Sequence, residues 1–203
     1  VAMDIRELVE PTSLKDATIV PVSARDGKGI SELLTQIEKV LENIPDRKNL
    51  GKPRLPVDRV FTLTGFGTVV TGTLLDGSLR VGDEVVCLPA GKTGRIRGLQ
   101  NHHHKLQKVD PGFRTAVNIV NLNYQDVDRG DVITHPGDYS PTSLIDAHFR
   151  LLDDSPFPVR HNMEVKLFLG SGETTARLRL LGSQELRPGQ DAFIQLRTDY
   201  PVV

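Results

Sequence analysis

The stretch that indicates the fold is VDRVFTLTGFGTVVTG, residues 57–72. Its first half mixes apolar and polar side chains up to Gly65, and a run rich in Val and Thr then leads to Asp76-Gly77. Alternation with a period of two gives a strand one apolar and one polar face, and β-branched side chains favour strands. The stretch therefore predicts two strands of an antiparallel sheet, with a hairpin-type turn pair at Asp76-Gly77.

Similar short runs continue to the end of the chain, separated by turn residues every ten or so positions. This spacing is typical of antiparallel barrels, and the break at 136–141 separates two sets of strands. We therefore expect a mainly β fold of two consecutive antiparallel β-barrels, at residues 55–136 and 142–203, the second of them complete or truncated. The further predicted strands are 83–88, 93–99, 114–121 and 131–134, and then 144–152, 163–169, 174–181 and 191–198.

The first 46 residues follow a different pattern. Residues 3–10 have the apolar spacing of a helix end, and apolar side chains recur at helical spacing over 30–44. Between them, residues 17–22 form a continuous β-branched run, which is typical of a strand buried in a parallel sheet. We interpret residues 1–46 as the C-terminal remnant of an α/β domain.

Residues 47–54 are charged and contain Pro and Gly, so they are interpreted as an interdomain linker. The chain begins at Val1, without an initiator Met and inside an expected helix. One strand and one helix cannot cover each other, so the rest of the sheet is expected upstream. We therefore expect the sequence to be a fragment.

Charge and composition exclude several classes of protein. The chain has 203 residues, with 25 Lys and Arg against 26 Asp and Glu, and a formal net charge of −1. This balance excludes binding to nucleic acid by bulk charge, so any contact with RNA must come from a local patch. A single Cys excludes an internal disulfide, and no apolar run approaches the roughly 18–20 residues that span a bilayer. We therefore expect a cytoplasmic protein without membrane or DNA partners.

No motif in the chain predicts nucleotide or metal chemistry. Gly91-Lys92-Thr93 has the last three residues of a phosphate-binding loop, but the flanks are strand-like, so a hairpin turn is predicted. His102-His103-His104 lacks further ligands at metal spacing and is interpreted as an exposed hairpin end, its role left open. Cys87, in an apolar strand, is expected to be buried and structural. We expect no GTP, ATP or metal binding and no enzymatic activity from this chain.

Two groups of charges are candidates for binding. Asp58, Arg59 and Arg114 stand in otherwise apolar strands. Residues 80–108 contain six Lys and Arg but only two Asp and Glu, and this local excess suggests a phosphate-contacting face. Within it, Arg95 and Arg97 are candidate backbone contacts. A solvated barrel surface explains both groups as well, so both interpretations stay open.

Several ordered segments resemble the translational GTPases. The segment Ile19–Ala24 is similar to the last conserved segment of their GTPase domain, and residues 57–72 look like the opening hairpin of the second domain of elongation factors. The Asp-Arg pair at 58–59 and the later Gly-x-Arg resemble most closely the selenocysteine-specific elongation factors, whereas elongation factor Tu lacks this set. Further matching segments are Gly27 with Gly29-Ile30, then 81–85, 111–114, 127–132, 186–190 and 195–197.

The resemblance implies a role for each candidate residue. Arg59 and Arg114 would contact the selenolate of selenocysteine on its tRNA. Asp58 would either orient these arginines or accept a hydrogen bond from the amino group of the aminoacyl residue. The turn at Ser23 and Ala24 would be the remaining guanine-side segment, touching the base through its backbone. Partners would be selenocysteinyl-tRNA and, through the parent protein, the ribosome; GTP and Mg²⁺ are expected only in that parent, because the phosphate-binding loop and switch regions are missing.

Two other interpretations remain. The chain could be the tRNA-binding barrel part of another translational GTPase, such as a general elongation or initiation factor or the GTPase subunit of a sulfate-activating enzyme. It could also be a β-barrel interaction module whose charges are only surface. Arg59 and Arg114 discriminate between them: guanidinium groups more than roughly 10–12 Å apart, or on opposite sides of the barrel wall, would exclude a shared anion pocket.

Overall fold

The structure is a computed structural model that describes residues 1–45, 48–63, 65, 67–102 and 104–203. The chain divides into two compact units, Val1–Asp46 and Arg47–Val203. Within the described ranges, neither of the two helices has the length and apolarity needed to cross a membrane. The residues of the triple histidine are described except for His103.

The first unit contains two helices, α1 (Ala2–Val9) and α2 (Ile30–Glu42). The helices at 3–10 and 30–44 are therefore confirmed, with α2 two residues shorter than predicted. Gly29 precedes α2 with φ +76°, a conformation that favours glycine, and a Cβ at this position would collide with the carbonyl oxygen of Pro21.

The strand predicted at residues 17–22 is wrong, because the structure has no strand there. A strand needs a neighbour to satisfy its backbone N–H and C=O groups, and the described residues 1–45 contain no other strand. The apolar stripe of α2 is exposed at Leu34, Ile37, Val40 and Leu41.

The first barrel is built from strands β1 (Arg54–Pro56), β2 (Arg59–Leu63), β3 (Gly67–Thr73), β4 (Leu79–Arg80), β5 (Glu84–Leu88), β6 (Lys92–Asn101), β7 (His104–Leu106), β8 (Lys108–Val109), β9 (Arg114–Val120) and β10 (Val132–Thr134). They form an antiparallel sheet with the strand order β1-β10-β5-β6-β9-β3-β2, with β7 added to β6, and a separate pair β4-β8. Alternating apolar side chains turn inward and form one core. Its fully buried members include Leu55, Val57, Val70, Leu74, Leu79, Val117, Ile119 and Ile133.

The predicted linker is partly integrated into this barrel. Its last residue, Arg54, begins β1, which pairs with β10. Arg54 Nε also lies 3.0 Å from Asp76 Oδ2, and the Leu50 N–H donates to the carbonyl of Asp76 at 2.6 Å. Residues 50–54 therefore belong structurally to the barrel.

Asp76 and Gly77 form a turn but not the predicted hairpin. Asp76 has φ +62°. The strand before the turn, β3, pairs with β2 and β9, whereas β4 after the turn pairs with β8. The hairpin turn predicted at Gly91 is confirmed, because β5 and β6 on its two sides pair with each other.

The second barrel is built from strands β11 (Thr142–Arg150), β12 (Val159–Arg160), β13 (Met163–Leu169), β14 (Gly172–Leu180), β15 (Glu185–Leu186) and β16 (Asp191–Val202). They form a four-stranded sheet, β11-β16-β14-β13, and a pair, β12-β15. The core of this barrel comprises Leu151, Val159, Ala176, Leu178, Leu180, Leu186, Ile194 and Leu196. Ser171 joins the second barrel to the first, because its Oγ donates to the carbonyl of Val57 at 2.6 Å and its carbonyl accepts from Arg129 Nε at 3.0 Å.

Candidate functional site

Asp58 and Arg114, 56 residues apart in the chain, are in direct contact on the first barrel. Arg114 Nη1 donates to Asp58 Oδ2, and Nη2 donates to Asp58 Oδ1 at 3.1 Å. The Oγ1 of Thr71 donates to the same Oδ1 at 2.7 Å. A guanidinium and a carboxylate joined by two parallel hydrogen bonds form a geometrically specific pair.

The strand register puts Arg59 on the same face as this pair. Arg59 stands opposite Thr71 in the β2–β3 ladder, and Arg114 stands opposite Thr73 in the β3–β9 ladder. Directly opposed residues and residues two apart in a strand share a face, so both arginines point outward from one side of the barrel wall. Two strand spacings and a two-residue offset separate their Cα atoms by roughly 12 Å, a gap that two long side chains can close towards a common ligand.

The cluster of Asp58, Arg59 and Arg114 carries a net charge of +1. Partial burial raises the pKa of Asp58, but hydrogen bonds from Arg114 and Thr71, together with the charges of Arg114 and Arg59, outweigh it and leave this pKa below its ordinary value. The hydrogen bonds to Asp58 raise the pKa of Arg114. Within the described part of the chain Arg59 forms no ion pair, so one positive charge remains for an anionic ligand.

The lowered pKa of Asp58 predicts a pH-dependent contribution to stability. Such a carboxyl stabilises the fold above its unfolded pKa, and the stabilisation disappears as pH falls through the lower folded value. We expect Asp58→Asn to unfold more easily than wild type at pH 7, and this difference to shrink below about pH 4. Urea denaturation at a series of pH values measures it. Asp154→Asn, at an exposed aspartate, is the control, and a constant difference for Asp58→Asn across the series would contradict the prediction.

A half-open groove of about 420 Å³ adjoins the cluster on the same outward face. Ala116 and Asn118, two and four positions after Arg114 in β9, line it together with Val69. Leu106 of β7 closes another side. The groove therefore offers apolar walls with amide groups beside the positive cluster, which suits a flat, partly polar ring.

The structure separates the two predicted backbone contacts. Arg97 is exposed, lines the groove and donates to the carbonyl of Gly65 at 3.4 Å. A register shift between Ile96 and Gly98 places it in a β-bulge of β6. Arg95 stands opposite Glu84 in the β5–β6 ladder, away from the groove lining.

Ser23 and Ala24 lie in a tight turn of the first unit. The Ser23 N–H donates to the carbonyl of Lys28 at 2.9 Å, and the Gly27 N–H donates to the carbonyl of Ser23 at 3.0 Å. A hydrogen bond from Ser23 lowers the pKa of Asp26. The guanine-side role of this turn stays a prediction.

Cys87 and the triple histidine also stand out in the sequence, and the structure describes Cys87, His102 and His104. Cys87 is buried, as predicted, and burial together with the charge of Asp131 raises the pKa of its thiol, which makes it unreactive. His102 and His104 are exposed at the turn between β6 and β7, while His103 lies outside the described residues. Among the residues that the structure describes, no group of three or more His, Cys, Asp or Glu could hold a metal ion.

Sequence reasoning missed two residues of the site, Thr71 and Asn101. Asn101 Nδ2 donates to the carbonyl of Arg114 at 3.0 Å and so attaches the β6–β7 turn to the start of β9. For Thr71 a signal existed, because a hairpin centred on Gly65 places position 71 opposite position 59. For Asn101 there was none, because no local pattern tells which carbonyl an exposed amide reaches.

Comparison with known proteins identifies the relatives of this chain. Residues 67–134 match the family described as "Elongation factor Tu domain 2". The chain is 40% identical over 200 residues, 98% of its length, to the selenocysteine-specific elongation factor of Desulfomicrobium baculatum, of which it covers 31%. It is 38% identical over 122 residues, 60% of its length, to 26% of elongation factor 1-alpha of Saccharolobus solfataricus. The chain thus spans less than a third of these curated relatives.

Solved structures agree with these relatives. Translation elongation factor SelB from Methanococcus maripaludis, in its apo form, matches with a TM-score of 0.85 and 25% identity, over 99% of this chain and 47% of that one. A bacterial selenocysteine-specific elongation factor, EF-Sec, matches with a TM-score of 0.79 and 28% identity, over 99% and 32%. The predicted fold class and family resemblance are confirmed.

Proposed function

We propose that this chain is the tRNA-binding β-barrel part of a factor that delivers selenocysteinyl-tRNA to the ribosome. The chain carries an elongation factor Tu domain 2 and resembles a selenocysteine-specific elongation factor over 98% of its length. The first barrel would bind the aminoacyl end. The observation that carries the proposal is the outward-facing cluster of Asp58, Arg59 and Arg114 with its net positive charge.

The chemistry of selenocysteine fits this cluster. A selenol is more acidic than a thiol or a hydroxyl, so selenocysteine is largely an anion at neutral pH, whereas the serine of the precursor aminoacyl-tRNA is neutral. Guanidinium groups form short, charge-assisted hydrogen bonds with anions. Arg114 uses two N–H groups on Asp58 and keeps three, and Arg59 has no described ion pair, so donors remain for a selenolate.

The neighbouring groove supports binding of the terminal nucleoside that carries the amino acid. Its volume of about 420 Å³ is that of a small-ligand site, and it lies two residues along β9 from Arg114. Apolar walls at Val69 and Leu106 suit one face of a base. Arg97 beside the groove would contact a phosphate of the same strand.

GTP chemistry belongs, in this proposal, to the rest of the factor. The sequence supplies no phosphate-binding loop, so this chain would not hydrolyse GTP, and GTP with Mg²⁺ would bind upstream of it. The turn at Ser23 and Ala24 would contribute only to the guanine side. The ribosome would be reached through the complete protein.

A pH titration of binding tests the proposal. With the complete factor in its GTP form, we expect selenocysteinyl-tRNA to bind more tightly than seryl-tRNA at pH 7.5, and the affinity ratio to fall as the pH is lowered and the selenol becomes protonated. Cysteinyl-tRNA is the matched control. Its thiol, with an ordinary pKa of about 8.5, is mostly neutral at pH 7.5, so it should bind like seryl-tRNA. A ratio near one, or one independent of pH, would contradict the anion site.

The 38% identity to elongation factor 1-alpha favours a second candidate, the barrel part of a general elongation factor. Such a factor would bind elongator aminoacyl-tRNAs with similar affinities, because it would not read the charge of the side chain. The same titration distinguishes the two. Equal binding of selenocysteinyl-, cysteinyl- and seryl-tRNA would support the general factor.

A further inference from the structure

Thr71 holds Asp58 at two points. The Asp58 N–H donates to the carbonyl of Thr71 at 2.8 Å, and the Thr71 Oγ1 donates to Asp58 Oδ1 at 2.7 Å. Asp58 itself precedes β2, which begins at Arg59. The backbone hydrogen bond ties the start of β2 to β3, and the Thr71 hydroxyl adds a contact from β3 to the Asp58 carboxylate beside those from Arg114.

The direction of the carboxylate decides the direction of Arg114. Asp58 Oδ1 accepts from both Thr71 Oγ1 and Arg114 Nη2, while Oδ2 accepts from Nη1. Two parallel bonds require the carboxylate and the guanidinium to lie in one plane. The Arg114 side chain is 54% exposed and has many rotamers, so without this anchor its free N–H donors would point in many directions.

We propose that Thr71 is a specificity-determining positioning residue. Through Asp58 it fixes the plane of the Arg114 guanidinium on the barrel face that also carries Arg59, so that the unused N–H donors keep fixed directions and a single anion can meet both guanidinium groups. This inference rests on the proposed function, because it assigns a role within the same anion site. Thr71 contacts no ligand in this role; it acts by fixing Asp58.

The strand offers a matched set of variants. Thr71→Val keeps the β-branched shape and strand preference but removes the hydroxyl donor. Thr71→Ser keeps the hydroxyl and loses a methyl group. Thr73→Val makes the same change two residues along the same face, at a threonine opposite Arg114 for which no side-chain hydrogen bond is described.

The experiment measures the affinities of the complete factor, in its GTP form, for selenocysteinyl-tRNA and seryl-tRNA. We expect Thr71→Val to lower the ratio of the two affinities about threefold to tenfold, by weakening only the selenocysteinyl complex. Thr71→Ser should keep the ratio within about twofold of wild type, and Thr73→Val should leave it unchanged. If Thr71→Val destabilises the barrel, Thr71→Ala removes the same donor without placing a methyl group at the position of the hydroxyl.

The outcomes separate this inference from the proposed function. A wild-type ratio well above one that Thr71→Val leaves unchanged would overturn the role of Thr71 and retain the anion site. Equal loss of both affinities in Thr71→Val would also overturn it, because a merely structural role predicts that result. A wild-type ratio near one would overturn the proposed function and, with it, the inference.

Discussion

Replacing Arg114 with alanine is expected to remove most of the preference for selenocysteinyl- over seryl-tRNA. The change takes away a guanidinium and leaves the Asp58 carboxylate with only its Thr71 partner, so the net charge of the cluster falls from +1 to zero. A carboxylate that has lost its guanidinium partner repels a second anion. We expect the affinity ratio in the complete factor to drop at least about tenfold, measured by equilibrium binding at pH 7.5.

Arg97→Ala is the matched control for this experiment. Arg97 lies on the same barrel and lines the neighbouring groove, outside the cluster. Loss of the proposed phosphate contact would weaken binding of both aminoacyl-tRNAs equally, so this variant should lower both affinities and keep their ratio. Arg59→Ala should resemble Arg114→Ala. An unchanged ratio in Arg114→Ala would contradict the assignment of the cluster to the selenolate.

Leu55→Ala is expected to destabilise the chain by about 2–5 kcal/mol. Leu55 is the middle residue of β1, directly after the predicted linker, and its side chain is fully buried in the core of the first barrel. Removing one methine and two methyl carbons loses apolar burial and leaves a cavity, because Val57 and the paired Ile133 are already fully buried in the same core. Urea denaturation followed by circular dichroism measures the free energy of unfolding.

Leu50→Ala serves as the control for the same segment. Leu50 lies within the predicted linker and its side chain is 63% exposed, so its truncation should change the free energy of unfolding by less than about 0.5 kcal/mol. Similar small effects for both variants would mean that β1 is not needed for the core. The contrast thus tests whether the segment after the linker is part of the barrel.

Most strands were predictable because alternation is a local property. The spacing at 163–169 predicted a strand with the bounds that β13 has, since each side chain there chooses a face from its own polarity. The end of β16 was less predictable. It continues to Val202, four residues beyond the prediction, because its pairing with β11 reaches Thr142 opposite Val202.

The errors arose where a segment depends on distant partners. Residues 17–22 have the composition of a strand, yet a strand forms only when a neighbour accepts its hydrogen bonds. Asp76 and Gly77 are residue types typical of a hairpin turn, but the strand that follows them, β4, pairs with β8 rather than with β3. The composition of a segment indicates its preference for the strand conformation. Whether it pairs as a strand depends on which other segment of the chain lies beside it.

For the site, residue types along the chain were enough to single out Asp58, Arg59 and Arg114, because charges in otherwise apolar strands and the family motifs both mark them. Their arrangement was not contained in those patterns. The contact of Asp58 with Arg114 exists because β3 lies between β2 and β9 in one particular register, with Thr71 supplying the third hydrogen bond. Polarity and turn propensity depend on a few neighbouring residues, whereas strand register is set by the burial of the whole sheet. The arrangement of Asp58, Arg59 and Arg114 therefore forms only when the barrel closes.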